Sequence, residues 1–438
     1  VDNQLNIETD WEPLESGSPE ERATYAAIGI RCGDLWLTEA EDSFVNQVRK
    51  KIHVSAYPLA EWFAWNWWRL RWEPRRYTHD WAMAHHMSAI GGGYLWPDIT
   101  IVSDGERLVF IPKPTRSRPQ EPLRYLCQIP VVVGSSLFER EVDEFVRRVL
   151  ERLGEEAISE SNLGAVWADV LEERNSSEIA RRRKLEALLG YEVDKASEEL
   201  IERLVGDSTQ LGESGVEELA AARTKDVQPA TSAEIVAMSQ ECGFDAKPNE
   251  AVRLRPAVSR SLPPGVPAWK RGVAAANILR EQERLAGGKI SNQRLCQLAG
   301  VANAAISEDS RSGLLSFAFD QGPASGRIVM RSKYESGRRF DLARLLGDRI
   351  AADAVGALRP ATRTYTYRQK LQRAFAGEFL CPFERLSEVL DGDFSEEAIE
   401  DAASDFGVSE WVVRTLLVNH GLIERENLDF DLSLQRAA

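Results

Sequence analysis

The chain has 438 residues, is 43% hydrophobic and 28% charged, and carries a formal net charge of −15. These values fit a folded chain of two to four domains and exclude a collagen-like or wholly disordered one. The acidic balance argues against nucleic-acid binding by the chain as a whole, though it leaves room for a local basic patch. No apolar run approaches the ~20 residues of a membrane-spanning helix, and no charged-then-apolar stretch opens the sequence. Five dispersed cysteines without C-x-x-C spacing argue for a reducing compartment and against a disulfide or zinc framework. The expectation is a cytoplasmic, multidomain α+β protein with no membrane contact. The sequence carries no signal for oligomeric state.

Residues 1–22 set seven acidic side chains against Arg22 alone, which reads as a disordered acidic tail. Residues 23–154 read as a mixed α+β domain. TYAAIGIRCGDLWL is strand-like, with a Gly33-Asp34 turn. YLWPDITIVSDGERLVFI is the clearest hairpin, with Asp104-Gly105 placed as a type I′ turn prefers. CQIPVVVG is a further strand, after which Ser135-Ser136 caps the amphipathic run LFEREVDEFVRRVLERL.

Within this domain AEWFAWNWWRLRW holds five tryptophans in 11 residues, with Pro58 able to start a helix and Pro74 to end it. Aromatics at helical spacing fit a core. A partner-binding patch through Trp62, Trp65 and Trp68 is a second reading, because Trp dominates interface hot spots. A base-stacking surface, with Arg69 and Arg71 on phosphates, is a third. His79, His85 and His86 follow, with Asp98 beyond them. They match no metal motif, so hydrogen-bonding roles and a relocated metal site both stay open.

Residues 155–226 are charge-rich and helical; the basic run Arg181–Lys184 lies among acids and reads as a solvated face. Residues 227–268 carry six prolines and read as short helices and a linker, with a domain boundary near 265. Residues 269–424 form the last unit and 425–438 a polar tail. This unit opens with the helix WKRGVAAANILREQERL. ISNQRLCQLAGV then reads as the first half of a helix-turn-helix, with Gly300 in the turn. The next segment, ANAAISEDSRSG, is acidic and serine-rich, a poor groove reader. A hairpin, SGLLSFAFDQGPASGRIVMRSKY, precedes two helical stretches, GRRFDLARLLGDRI and YRQKLQRAFAGEFLCP. FSEEAIEDAASDFGVSEWVVRTLLVNHGLI closes the unit as a helix pair, with Ser409 capping the second member.

RRFDLARLLGD and FAGEFLCP resemble the two core helices of the ImmA/IrrE family of zinc metallopeptidases, where they read RF-x-x-A-H-E-x-x-H and F-A-x-E-L-L-x-P. The resemblance covers residues 269–424 and implies a mainly helical, zincin-like domain with a small β hairpin. Active members cleave regulatory proteins such as repressors and antitoxins. Here Arg344 and Asp348 stand where the family has its histidines, and Leu345 where it has the general-base glutamate. Gln369, or Leu371 in the other register, stands at the third ligand. Arginine has no acceptor and leucine moves no proton, so the set is too small for zinc and no cofactor is expected. Arg344 and Asp348 keep the i,i+4 spacing and are expected to pair, with the guanidinium at the vacated metal position.

Between Arg327 and Glu378, twelve basic residues face five acidic ones, a reversal of the overall balance. Arg338, Arg339, Arg344, Arg368 and Arg373 are therefore candidates for an anion or partner site, unless they neutralise the acidic remainder of the chain. The resemblance implies a non-catalytic regulatory or sensor protein with a protein partner, in a bacterial stress, mobile-element or phage-defence system. Two alternatives stand beside it: a peptidase with a metal relocated to His79, His85 and His86, and a helix-turn-helix transcriptional regulator.

Overall fold

The computed structural model describes residues 4–115, 123–255, 262, 265–285, 287–307, 311–352 and 356–424. Among the described residues the chain is mixed α+β, about half helical, with 17 helices. None of these helices is long and apolar enough to cross a membrane. The chain divides into two compact units, Val1–Ile201 and Glu202–Ala438. The tail expected at 425–438 lies outside the described residues.

The acidic stretch read as a tail is β1 (Leu5–Trp11), followed by α1 (Pro19–Ala23) and β2 (Tyr25–Cys32). β1 pairs antiparallel with β2, Leu5 opposite Cys32 and Trp11 opposite Ala26. Leu5 and Ile7 alternate inward while Glu8 and Asp10 meet Lys51 at 2.9 Å, so the acids have partners that composition does not show. β3 (Leu35–Trp36) extends β2. β4 (Ala40–Asp42) and β5 (Gln47–Arg49) form a small ladder, and β6 (Ile52–Ser55) returns to pair with β2.

The tryptophan-rich segment is two helices, α2 (Ala56–Trp65) and α3 (Trp67–Trp72), broken at Asn66 and capped at the start by Ser55. α4 (His79–His85) leads to the hairpin β7 (Ile99–Ser103) and β8 (Arg107–Pro112). In its turn Gly105 has positive φ and Glu106 does not, so the turn is not type I′, which needs both. β9 (Leu123–Tyr125) pairs with β4, and β10 (Val131–Gly134) with β8. α5 (Ser135–Glu155), α6 (Asn162–Asn175) and α7 (Ser177–Leu189) follow. α5 buries Phe138, Val142, Phe145, Val146, Val149 and Leu153, a stripe at helical spacing. Phe63 meets Phe138 and Phe145 at 6.2 Å, and Trp67 meets Trp167 edge-on at 5.5 Å.

The division between the units falls within α8 (Glu198–Leu211), upstream of the boundary expected near 265. The second unit continues with α9 (Glu213–Ala221), α10 (Ser232–Cys242) and β11 (Phe244–Ala246). Next come α11 (Ala268–Gln282), α12 (Asn292–Ala299), β12 (Ser316–Gly322) and β13 (Ser325–Val329). α13 (Glu335–Ala351), β14 (Leu358–Ala361), α14 (Tyr367–Leu380), α15 (Phe383–Leu390), α16 (Glu396–Phe406) and α17 (Glu410–Asn419) complete it. The expected hairpin is the centre of a four-stranded antiparallel sheet, ordered β11-β13-β12-β14. Its β11 edge comes from the proline-rich stretch read as a linker. α11 lies hard against α14: a Cβ on Gly272 would sit 2.5 Å from the Leu371 carbonyl oxygen, so only glycine permits this approach.

Ile7 is 1% exposed. Ile7→Ala is expected to destabilise the protein by about 2–5 kcal/mol, as large-to-small core changes do. Urea unfolding checks this; an unchanged midpoint would return β1 to the status of a tail.

Candidate functional site

α13 and α14 bury Leu342, Leu345, Leu346, Leu371, Phe375 and Phe379 in one apolar core. Through that core runs a polar seam. α13 supplies Arg344 and Asp348, α14 supplies Arg368, Gln369 and Gln372, and β14 with its following loop supplies Arg359, Pro360 and Thr362. Thr366 fixes the geometry of α14 by capping it, its side chain accepting from the Gln369 amide. That start turns residues 368, 369 and 372 of the first two turns toward α13.

Asp348 is fully buried. Arg368 grips it in a fork, Nε to Oδ1 and Nη2 to Oδ2, both at 2.6 Å. Gln372 Nε2 donates to Oδ1 at 2.9 Å and Arg359 Nη1 to Oδ2 at 3.3 Å. Burial alone would raise the Asp348 pKa, but the Arg368 fork and the other donors hold it below the ordinary carboxylate range.

Arg344 does not pair with Asp348, as the i,i+4 spacing suggested. Its Nη2 donates to the Thr362 carbonyl and to Gln369 Oε1, both at 2.6 Å, and to Gln372 Oε1 at 3.3 Å. Its Nε is buried without a partner. Asp348 is already saturated by two arginines from outside its helix, and a bidentate fork outcompetes a same-helix contact. Burial, then repulsion from Arg373, pushes the Arg344 pKa down to about 9, so it stays charged at neutral pH. Gln369 is the pivot: its Oε1 also accepts from the Thr362 amide at 2.8 Å and its Nε2 donates to Pro360 at 3.0 Å. Three of the four positions singled out by motif frame, Arg344, Asp348 and Gln369, thus share one network, while Leu345 lies in the apolar core.

Sequence reasoning missed Glu218 on α9. It is buried, accepts from the Thr366 hydroxyl at 2.9 and 3.0 Å, and lies within electrostatic reach of Arg368. The available signal was Val216, Leu219 and Ala220 around it, which mark α9 as buried rather than solvated.

Most of the other candidates have structural partners. Arg338 and Arg339 are fully buried. Arg338 donates to the carbonyls of Ala305 and Arg311, at 2.9 and 2.6 Å. Arg339 donates to Gly407 at 2.8 Å and to Asn292, which places its charge at the C-terminal end of α16. Trp62 and Trp68 are buried, their indoles donating to Met83 and Glu173; of the three proposed partner tryptophans only Trp65 is exposed. Arg69 and Arg71 are buried on Glu73 and Glu139, which removes the phosphate-contacting surface proposed for them. The three histidines diverge. His85 is fully buried, with its ring nitrogens on Ile101 and Glu73 at 2.8 and 3.2 Å, His86 faces Asp98, and His79 is exposed. No group of three or more metal-ligating side chains gathers among the described residues. In the segment read as a poor recognition helix, the described residues form one turn of 3₁₀ helix, Asn303–Ala305; residues 308–310 lie outside the described residues.

The seam therefore holds a neutralised carboxylate, two amides and a buried cation without a carboxylate partner. Among the described residues it gathers no group of three or more metal-ligating side chains. Two outcomes follow. Asp348→Ala leaves Arg368 buried and unpaired, and is expected to cost about 3–5 kcal/mol in chemical denaturation. Glu218 acts with the opposite sign, since burial raises its pKa. Its contribution is full below the ordinary carboxylate range and is lost as pH rises through the raised folded value. Glu218→Gln is therefore expected to stabilise the protein at pH 8 and to match wild type near pH 4; a less stable variant at pH 8 would contradict the assignment.

Comparison with protein-family models, with curated proteins and with solved structures finds no match for this chain.

Proposed function

We propose that the second unit contains an ImmA/IrrE-like pseudo-peptidase domain of zincin-like type. In this reading the protein is a cytoplasmic, non-catalytic regulator or sensor that binds a protein partner, in a bacterial stress, mobile-element or phage-defence setting. The observation that carries the reading is the meeting of Arg344, Asp348 and Gln369. The motif frame picks these positions as former ligand sites from two separate stretches of sequence, and they are joined by hydrogen bonds of 2.6–3.3 Å through Gln372. The order of elements, a hairpin ahead of α13, then α14, then a closing helix pair, supports the same ancestry. The chemistry of the seam supports loss of catalysis, since a permanent cation and an amide replace metal ligands. In this reading the domain acts by binding a protein partner rather than by catalysing a reaction.

Elemental analysis of protein purified without chelator tests the reading. Wild type is expected to hold only substoichiometric zinc, iron or manganese. Stoichiometric metal in wild type would overturn the reading.

A further inference from the structure

Most arginines of the second unit's polar seam are spent. Arg349, Arg359 and Arg368 pair with Asp320 or Asp348. Four others gather at the end of β14 and form no ion pair among the described residues: Arg331, Arg344, Arg363 and Arg373. Their proximity is fixed by backbone. Ser316 lies opposite Ala361 in the sheet, and its hydroxyl accepts the Arg331 amide at 2.9 Å, which brings Arg331 beside the loop that follows β14. Arg344 is tied to the Thr362 carbonyl at 2.6 Å and Arg373 to the Thr364 carbonyl at 2.7 Å. Arg363 sits between those two threonines, whose hydroxyls lie 2.7 Å apart.

The charge here is not cancelled. Asp341 and Glu218 are the acids in reach of Arg344. Asp341 accepts from Ser316 at 2.6 Å and Glu218 from Thr366 at 2.9 Å, and neither pairs with the four. Mutual repulsion is felt: besides burial, Arg373 and Arg331 lower the Arg344 pKa, and Arg331 lowers that of Arg363. Two of the arginines are recessed, Arg344 at 6% exposure and Arg373 half-buried, while Arg331 and Arg363 are exposed at the rim. Arg344 is anchored through Nη2, and its buried Nε has no acceptor.

We propose that Arg331, Arg344, Arg363 and Arg373 form a binding site for a compact ligand bearing two or more phosphate groups. Planar guanidinium forks match phosphate oxygens bidentately, and prior anchoring on backbone carbonyls reduces the ordering cost of binding. Extended polyanions are disfavoured by the net charge of −15 on the whole chain, whereas a compact one meets only this patch. The site goes beyond the partner-binding reading and stands without the peptidase-like ancestry.

The test is isothermal titration calorimetry of the full chain with inorganic pyrophosphate at constant ionic strength. Wild type is expected to show one saturable site. Arg331→Ala and Arg363→Ala, both at exposed positions that leave the core intact, are each expected to weaken it about tenfold or more. Arg385→Ala, which removes an exposed arginine paired with Glu388, is expected to leave it unchanged. No saturable heat with wild type, or equal binding by both rim variants, overturns the proposal. A glutamate-rich peptide that binds where pyrophosphate does not would assign the face to a protein and overturn it equally. Metal content is not read in this experiment, so its failure is separate from failure of the pseudo-peptidase reading.

Discussion

An ionised carboxylate taken wholly out of water must be paired and hydrogen-bonded or it unfolds the structure around it. Asp348 imposes that requirement on the second unit. Arg368 has to stand opposite it, which fixes where α14 begins and therefore that Thr366 caps it. Arg359 also has to reach it, which fixes β14, and through Asp320 the same arginine engages β12 at 3.6 Å. Arg368 also donates to the Ser214 carbonyl at 3.2 Å, so α9 joins the arrangement. One buried charge thus orients two helices, two strands and an element from far upstream.

The frames of α13 and α14 were legible because period-3.6 apolar spacing survives whatever happens to the polar positions between. The hairpin before them was expected from the resemblance rather than from alternation, since Ser316, Phe317, Ala318 and Phe319 are all buried in succession. The pairing inside the seam was not. Spacing says that Arg344 and Asp348 share a helix face; it does not say that Arg368 and Arg359 will arrive from other elements with better geometry. The basic excess between Arg327 and Glu378 was visible as a count, yet a count does not separate arginines paired with carboxylates, such as Arg359 and Arg368, from those that form no ion pair among the described residues. Arg373 and Arg344 belong to the second kind and were named beforehand; Arg331 and Arg363 needed the strand register.

In the first unit, too, partners distant in sequence decide the outcome. Glu8 and Asp10 read as a solvated acidic stretch because Lys51 is 41 residues from Asp10 in sequence, although the strands place them together. The tryptophans formed a core as helical aromatics usually do, and a single exception, Trp65, points outward at the break between α2 and α3. Stretches rich in proline read as linkers, but a strand needs only three residues between them, and Phe244–Ala246 supplies the edge that β13 would otherwise leave open.

The placement of α9 has a kinetic meaning. Glu218 reaches Thr366 across 148 residues and Arg368 reaches Ser214 across 154, while β11 waits for β13. Contacts so remote in the chain demand loop closure before they return any stability, which slows folding relative to a bundle of local helices. During synthesis α9 emerges early, carrying a carboxyl group whose buried position exists only after α14 has been made. Until then the nascent helix has an apolar face without a core to cover it, the state in which chains of this size become trapped or aggregate.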